Sequence, residues 1–225
     1  MNFSQTMLIG SALSVVLLSG CTSQVTERDQ YSGYLSNYNN LQQVTTTTGE
    51  KAMRWVSPSW NANAYDTVVF NGLELYPAPK PDERVNQQTL NDIRNYMSDK
   101  ASGVLGQKYR VVSSEAKAPR GSKPLILRAA ITGVSASNEG MKWYEVVPVA
   151  AVVGAAQAAT GHRDQDTNLF IEAEFIDPSN NQTVAKVVRK VAGSQLSNAS
   201  QQITAKDFKA AIDKVSADLW AFIRS

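Results

Sequence analysis

Residues 168–191 read NLFIEAEFIDPSNNQTVAKVVRKV, and this stretch decides the fold. Its first half alternates in polarity: the apolar face carries Leu169, Ile171, Ala173 and Phe175, and the other carries mostly polar residues, Asn168, Glu172 and Glu174. Such alternation is typical of a strand with one buried face. The turn-forming run DPSNN at 177–181 leads into a second strand at 183–191. We therefore predict a β-hairpin with a solvated polar face, on which Glu172 and Glu174 act as solubilising residues.

Three more segments have the composition of strands. Residues 65–76 are rich in β-branched and aromatic residues and are followed by three prolines within five residues. Residues 109–112 predict a short strand. Residues 125–135 are apolar on both faces, which is typical of a central strand.

Two segments have helical spacing. The first carries apolar residues on one face and stops at Gly106; these residues are Leu90, Ile93, Met97, Ala101, Val104 and Leu105. The second starts at the capping-box-like sequence TAKD at 204–207 and runs to Phe222. The order of elements predicts an α+β fold, with a mostly antiparallel sheet packed on one side by two long helices, plus a short apolar helix.

The predicted short apolar helix lies at about 148–159, within the sequence VVPVAAVVGAAQAATG at 146–161. This run is too short, and too broken by Pro148 and Gly154, for an ordinary transmembrane helix. One interpretation is a helix buried against the domain. The other is an interaction surface for a protein or the membrane, carried by Val149, Val152 and Val153.

The first twenty residues have the pattern of a secretion signal. Residues 7–18 form an apolar run interrupted only by Gly and Ser, which is the length of a signal-peptide core. The run ends in LSGC at 18–21, which resembles the lipobox of bacterial lipoproteins. We therefore predict a lipoprotein signal peptide at 1–20 and lipid attachment at Cys21, although residues 1–7 lack Lys and Arg. The alternative is a buried N-terminal helix.

Residues 21–51 are predicted to be a tether, and residues 52–225 a single periplasmic domain. The tether is rich in Ser, Thr, Asn and Gln, but its tyrosines recur at helical spacing, so part of it is expected to dock on the domain as a short helix. Trp55 and Trp60 are interpreted either as residues that hold the tether on the core or as exposed anchors for a partner.

Composition and motifs argue against several functions. The 22 basic and 20 acidic residues give a net charge of +2, without the basic run that nucleic-acid binding would need. The single Cys excludes an internal disulfide. The single His, His162, stands beside Asp164 and Asp166 on a predicted loop, which is weak support for a metal or acid/base site. We therefore expect no enzyme activity, no metal and no cofactor.

Several short motifs follow the signal in this order: YSGYLS at 31–36, RWV at 54–56, AAITG at 129–133 and YEVVPV at 144–149. These resemble the landmarks of the bacterial lipoprotein family known as domain of unknown function thirty-three thirteen. The resemblance implies an envelope lipoprotein domain and supplies no catalytic residues. Resemblance to lipoprotein sorting in enterobacteria favours the outer membrane, because Thr22 is not the Asp that retains proteins in the inner membrane.

Together these features predict a non-enzymatic lipoprotein, anchored in the outer membrane and facing the periplasm, that binds another envelope component as an accessory or assembly factor. One alternative is an oligomeric lipoprotein that inserts into membranes as a pore. Another is a small-ligand-binding or enzymatic domain that uses His162.

Overall fold

The secondary structure follows from a computed structural model that describes residues 25–81, 85–137, 165–198 and 201–225. Its strands are β1 Gln42–Thr45, β2 Lys51–Val56, β3 Thr67–Val69, β4 Glu74–Leu75, β5 Arg110–Val112, β6 Pro124–Ser137, β7 Asp166–Asp177 and β8 Gln182–Ala192. Its α-helices are α1 Gln87–Leu105 and α2 Lys209–Arg224.

The β7–β8 hairpin lies where the alternating sequence predicts it. Its strands pair antiparallel with Glu174 opposite Lys186, and Asn181 completes the turn with a positive φ of 55°. β6 pairs with the other side of β7, and the sheet continues in the order β1-β2-β8-β7-β6-β3-β5, with β4 beside β6. The hairpin therefore forms the centre of an eight-stranded sheet.

Most of the strand pairing is antiparallel, as predicted, but the described sheet is mixed, because some of its short strands pair in parallel. β3 is parallel to both β5 and β6, and β4 is parallel to β6. Parallel neighbours need a crossover connection, and α1 lies in the connection between β4 and β5. The single strand predicted at 65–76 is two strands, because the chain turns between them at Gly72, where φ is 86°.

A side-chain cap starts α1, and another starts the 3₁₀ turn that leads into α2. The side chain of Asn86 accepts a hydrogen bond from the amide of Thr89 at the start of α1. A 3₁₀ turn, Ala205–Phe208, precedes α2 and carries the reciprocal capping box of Thr204 and Asp207. The apolar stripe of α1 buries Leu90, Ile93, Met97 and Leu105.

The prediction that the sheet is packed on one side only, by two long helices, is wrong, because the opposite face is covered as well. The helices have 19 and 16 residues and pack on each other, where Tyr96 donates to Asp213 at 3.2 Å and Lys100 lies 2.6 Å from the same carboxylate. A cavity remains between them and the middle of the sheet. The predicted short helix at 148–159 lies outside the described residues.

Both faces of the sheet are covered. On the helix side, the core is built around the large buried side chains of Leu90, Ile131, Leu169, Phe208 and Ile212. The opposite side, called the outer face below, is covered by residues before β1, and its buried cluster is Tyr34, Leu35, Leu41, Ala130 and Val188.

The prediction of a solvated polar face on the hairpin is therefore wrong. Glu172 and Glu174 are only 0% and 1% exposed, because residues 25–41 lie over them. These residues are called the N-terminal segment below. Within this segment, a 3₁₀ turn at Arg28–Gln30 stands in place of the docked helix that the tyrosine spacing predicts.

The stretch predicted as a tether also contributes β1 to the sheet, paired with β2. The division of the chain at residues 20 and 51 stays a prediction. Among the described residues, no helix has both the length and the apolar character needed to cross a bilayer.

Candidate functional site

Glu172 holds the N-terminal segment on the outer face. Its Oε1 accepts a hydrogen bond from the backbone amide of Ser32 at 2.8 Å, and its Oε2 accepts one from the hydroxyl of Tyr38 at 2.5 Å. Alternation along β7 directs Glu172 to the outer face, between Ala130 of β6 and Val188 of β8. Each carboxylate oxygen therefore receives a donor from the N-terminal segment.

Glu174, two residues further along β7, holds the same segment at a second point. Its Oε1 accepts from the hydroxyl of Ser36 at 2.9 Å and lies 2.9 Å from a guanidinium nitrogen of Arg128. Its Oε2 accepts from the hydroxyl of Thr183 at 3.1 Å. We call Glu172 and Glu174, with Ser32, Ser36 and Tyr38, the carboxylate lock.

The tyrosines of the N-terminal segment pack around the lock. Tyr31 stacks on Tyr38 with ring centroids 4.7 Å apart, and the guanidinium of Arg128 lies 4.9 Å from the ring centroid of Tyr34. Burial, and to a smaller extent the hydrogen bond to Glu172, raises the pKa of Tyr38 to about 12. Burial and the neighbouring Glu74 also raise the pKa of Tyr34. Both hydroxyls therefore remain protonated donors at physiological pH.

The lock determines where the segment lies. A buried carboxylate is costly unless donors replace its water, and removing one partner leaves the other unsatisfied. The donors from Ser32, Ser36 and Tyr38 lie more than 130 residues away in the chain. The two glutamates therefore make one placement of the segment far more favourable than others.

The two tryptophans predicted as tether contacts or partner anchors lie on opposite sides of the sheet. Trp55 is half-buried beside the outer-face cluster, and the ammonium of Lys186 lies 5.2 Å from its ring centroid. Trp60 stacks on Phe222 and Phe175 on the helix side, at 4.9 and 5.7 Å. They are therefore not brought together into one aromatic patch.

The remaining predicted site residues fall outside the described part of the chain: Cys21, Val149, Val152, Val153, His162 and Asp164. Asp166 is described, at the start of β7, where it accepts a hydrogen bond from the Gln195 amide at 2.9 Å. Within the described ranges, no three side chains of the types His, Cys, Asp and Glu are grouped as a metal site requires.

The sequence matches a known protein family over most of its length. Residues 30–219 match the family described as Protein of unknown function (DUF3313). The chain belongs to this family. The DUF3313 match begins at Gln30, so it includes all five residues of the carboxylate lock.

One relative is the protein named Uncharacterized lipoprotein YdcL from Escherichia coli (strain K12). It is 41% identical over 214 residues, which cover 95% of this chain and 94% of the relative. The chain is thus similar, over nearly its whole length, to a lipoprotein.

Two solved structures have a distant likeness to it. The PelC dodecamer from Paraburkholderia phytofirmans gives a TM-score of 0.39 at 12% identity, over 75% of this chain and 96% of that chain. Protein XCC0632 from Xanthomonas campestris gives 0.36 at 14% identity, over 74% and 88%. Scores this low carry no argument about assembly or function.

Proposed function

We propose that this protein is a non-enzymatic outer-membrane lipoprotein, anchored through Cys21, whose domain is held close to the membrane and there binds another envelope component. The carboxylate lock is the observation that carries the proposal. It makes residues 25–41 part of the folded domain, which shortens any free linker after the proposed anchor.

The chain between the anchor and the domain is short. Thr26 is 3% exposed, so the folded domain already includes this residue. Five residue steps separate it from Cys21, and a fully extended chain spans at most about 3.5 Å per step. The lipidated residue can therefore lie no more than about 18 Å from the Thr26 backbone.

The chemistry of Cys21 supports stable attachment. A thioether-linked diacylglyceryl group supplies two acyl chains, and each buried methylene contributes about 0.8 kcal/mol. Two chains hold a protein on a bilayer where one alone is marginal. The lipoprotein name of the relative from Escherichia coli supports the same interpretation.

Two substitutions test the anchor and its membrane. In cells fed an alkyne-bearing palmitate, the wild-type chain should be labelled and sediment with the outer membrane. Cys21→Ser should remove the label, and Thr22→Asp should keep the label but move the protein to the inner membrane. Ser23→Ala is the matched control and should behave as the wild type. A native protein with a free Cys21 thiol and an uncut leader would contradict the proposal.

The partner is tested by crosslinking. Photo-crosslinking residues at Val149 and Val152, in the predicted interaction surface, should capture one specific envelope protein in intact cells. The exposed Ala210 of α2 serves as the control position. Capture equal to that control would count against a partner at this surface.

A further inference from the structure

A cavity of about 130 Å³ lies between the two helices and the sheet. α1 contributes Met97 and Ala101 to its wall, and α2 contributes Leu219 and Phe222. The floor comes from β6, β7 and β8, and most of the lining is apolar. An engineered apolar cavity of about 150 Å³ in another protein binds benzene, so a space of this size accepts a single ring or a short acyl segment.

Small side chains create this space. Ala129 of β6 pairs with Ala173 of β7, and Ala173 pairs on its other side with Val187 of β8. Although Ala173 lies on a central strand under the helices, it is only half-buried, as is Val187. The helices therefore cover Ala173 and Val187 only in part, whereas Ala129 is buried.

Arg189 supplies a polar group to the wall of the cavity. It is 4% exposed, and among the described residues no atom accepts a hydrogen bond from its Nε or Nη2. Nη2 lies 2.9 Å from a carboxylate oxygen of Asp218, but the two are not aligned as a hydrogen bond. A buried donor without an acceptor is uncommon, because it loses its water without compensation.

Asp218 already balances the charge of Arg189. It stays ionised because it accepts hydrogen bonds from the Thr47 hydroxyl at 2.7 Å and from the amide and hydroxyl of Thr48 at 2.9 and 2.8 Å. An anionic ligand at Arg189 would be repelled by this carboxylate. An uncharged acceptor such as a carbonyl oxygen would satisfy the free donor without that cost.

We propose that this cavity is a binding site for an uncharged apolar molecule, of the size of one ring or a short acyl segment, whose carbonyl or ether oxygen accepts a hydrogen bond from Arg189. The alanine floor supplies the space, and the ion pair with Asp218 supplies selectivity for a neutral ligand. This inference is independent of the anchor and of the partner proposed above.

Three probes of similar size test the proposal: acetophenone, cumene and benzoate. The full-length protein is held in phospholipid nanodiscs, and its thermal unfolding is followed by tryptophan fluorescence. Acetophenone should raise Tm by about 5 °C at roughly 100-fold excess over Kd. It should bind about tenfold tighter than cumene, which lacks the acceptor, and benzoate should not bind.

Variants separate the cavity from the lipid as the place of binding. Ala173→Leu fills the floor and should abolish the acetophenone shift, whereas Ala210→Leu, exposed on α2, should keep it. Should Ala173→Leu fail to fold, Ala101→Leu fills the cavity from α1. Equal affinity for cumene, tightest binding of benzoate, or a shift that survives the cavity-filling variants would each overturn the proposal.

Discussion

At the scale of single residues, the two buried glutamates of the outer face differ in what stabilises their charge. Glu174 has a cation beside it, Arg128, whose side chain is 41% exposed. Glu172 has neutral donors instead, the amide of Ser32 and the hydroxyl of Tyr38. Since Glu172 has no exposed surface, removing either donor cannot be compensated by bulk water.

Tyr38→Phe should therefore destabilise the protein. The loss of a donor to a charged group predicts a decrease of about 1–3 kcal/mol in the free energy of unfolding at neutral pH. Tyr96→Phe, whose hydroxyl bonds to the exposed Asp213, is the control and should cost less. Urea unfolding of both variants measures the difference.

The effect of Tyr38 should also depend on alkaline pH. Its folded pKa of about 12 exceeds the ordinary value of 10.0, so its contribution is fully present below pH 10 and is lost as pH rises through about 12. The gap between wild type and Tyr38→Phe should shrink across that interval. A gap that does not change from neutral pH to pH 12 would contradict the hydrogen bond to Glu172.

Asp218→Asn should destabilise the protein through the helix-side ion pair. Burial alone would raise the pKa of Asp218, but hydrogen bonds from Thr47 and Thr48 outweigh it and lower that pKa. Breaking a buried pair predicts a loss of about 3 kcal/mol at neutral pH. Because the folded pKa is depressed, this contribution is present above the unfolded value of 3.8 and is lost as pH falls through the folded pKa.

Denaturant titrations at neutral pH and at successive acidic values check both parts of this prediction. The matched control is Asp213→Asn, because the ion pair of Asp213 with Lys100 is solvent-exposed and should contribute much less than the buried pair. Equal losses for the two variants would show that burial of the Asp218 pair has no energetic consequence.

At the scale of elements, the periodic spacing of apolar residues predicts the strands and helices that bury one continuous face. The β7–β8 hairpin and the apolar stripe of α1 satisfy this condition. β1 and β2 were missed, because β1 reads QQVT and only Ala52 of β2 is fully buried. An edge hairpin of this kind is held by its backbone pairing and by contacts with distant parts of the chain, which no local pattern encodes.

Two glycines in different elements should respond oppositely to alanine. A Cβ at Gly193, just after β8, would lie 2.3 Å from the hydroxyl oxygen of Thr167 and 2.7 Å from the carbonyl oxygen of Asp207. Gly193→Ala should therefore lower the free energy of unfolding by at least about 2 kcal/mol. A Cβ at Gly103 in α1 meets nothing within 4 Å, so Gly103→Ala should raise it by up to about 1 kcal/mol.

Thermal unfolding followed by circular dichroism compares the two variants directly. Because both replace Gly by Ala, the loss of freedom in the unfolded chain is common to them and cancels in the comparison. Shifts of the same sign would contradict the packing described around Gly193.

At the scale of the whole molecule, the sheet has two covers from different parts of the chain. The helices cover one face, and the N-terminal segment covers the other. The candidate site was missed from the sequence because charged residues alternating with apolar ones on β7 ordinarily indicate solvent. The available signal lay in the N-terminal segment, where Tyr31, Tyr34, Leu35 and Tyr38 recur within a polar stretch. Their partners are far away in sequence, so the pairing itself was not predictable.

The double variant Glu172→Gln/Glu174→Gln should release the N-terminal segment without unfolding the domain. It removes both buried charges and turns one oxygen of each side chain into a donor, which then opposes the amides and hydroxyls that now bind there. Hydrogen exchange in nanodiscs should accelerate at least about tenfold at Ser32 and Ser36. Amides of α1, which pack on the opposite face, should accelerate much less than those of the segment.

Glu115→Gln, on an exposed 3₁₀ turn, is the matched control and should leave every region unchanged. An equal acceleration in α1 would mean that the lock is needed for the whole fold and does not act on the segment alone. Unchanged exchange at Ser32 and Ser36 would mean that the carboxylates do not hold the segment. In that case, the domain would no longer be required to stay close to its membrane anchor, because residues 22–41 could extend as a free linker of about 70 Å.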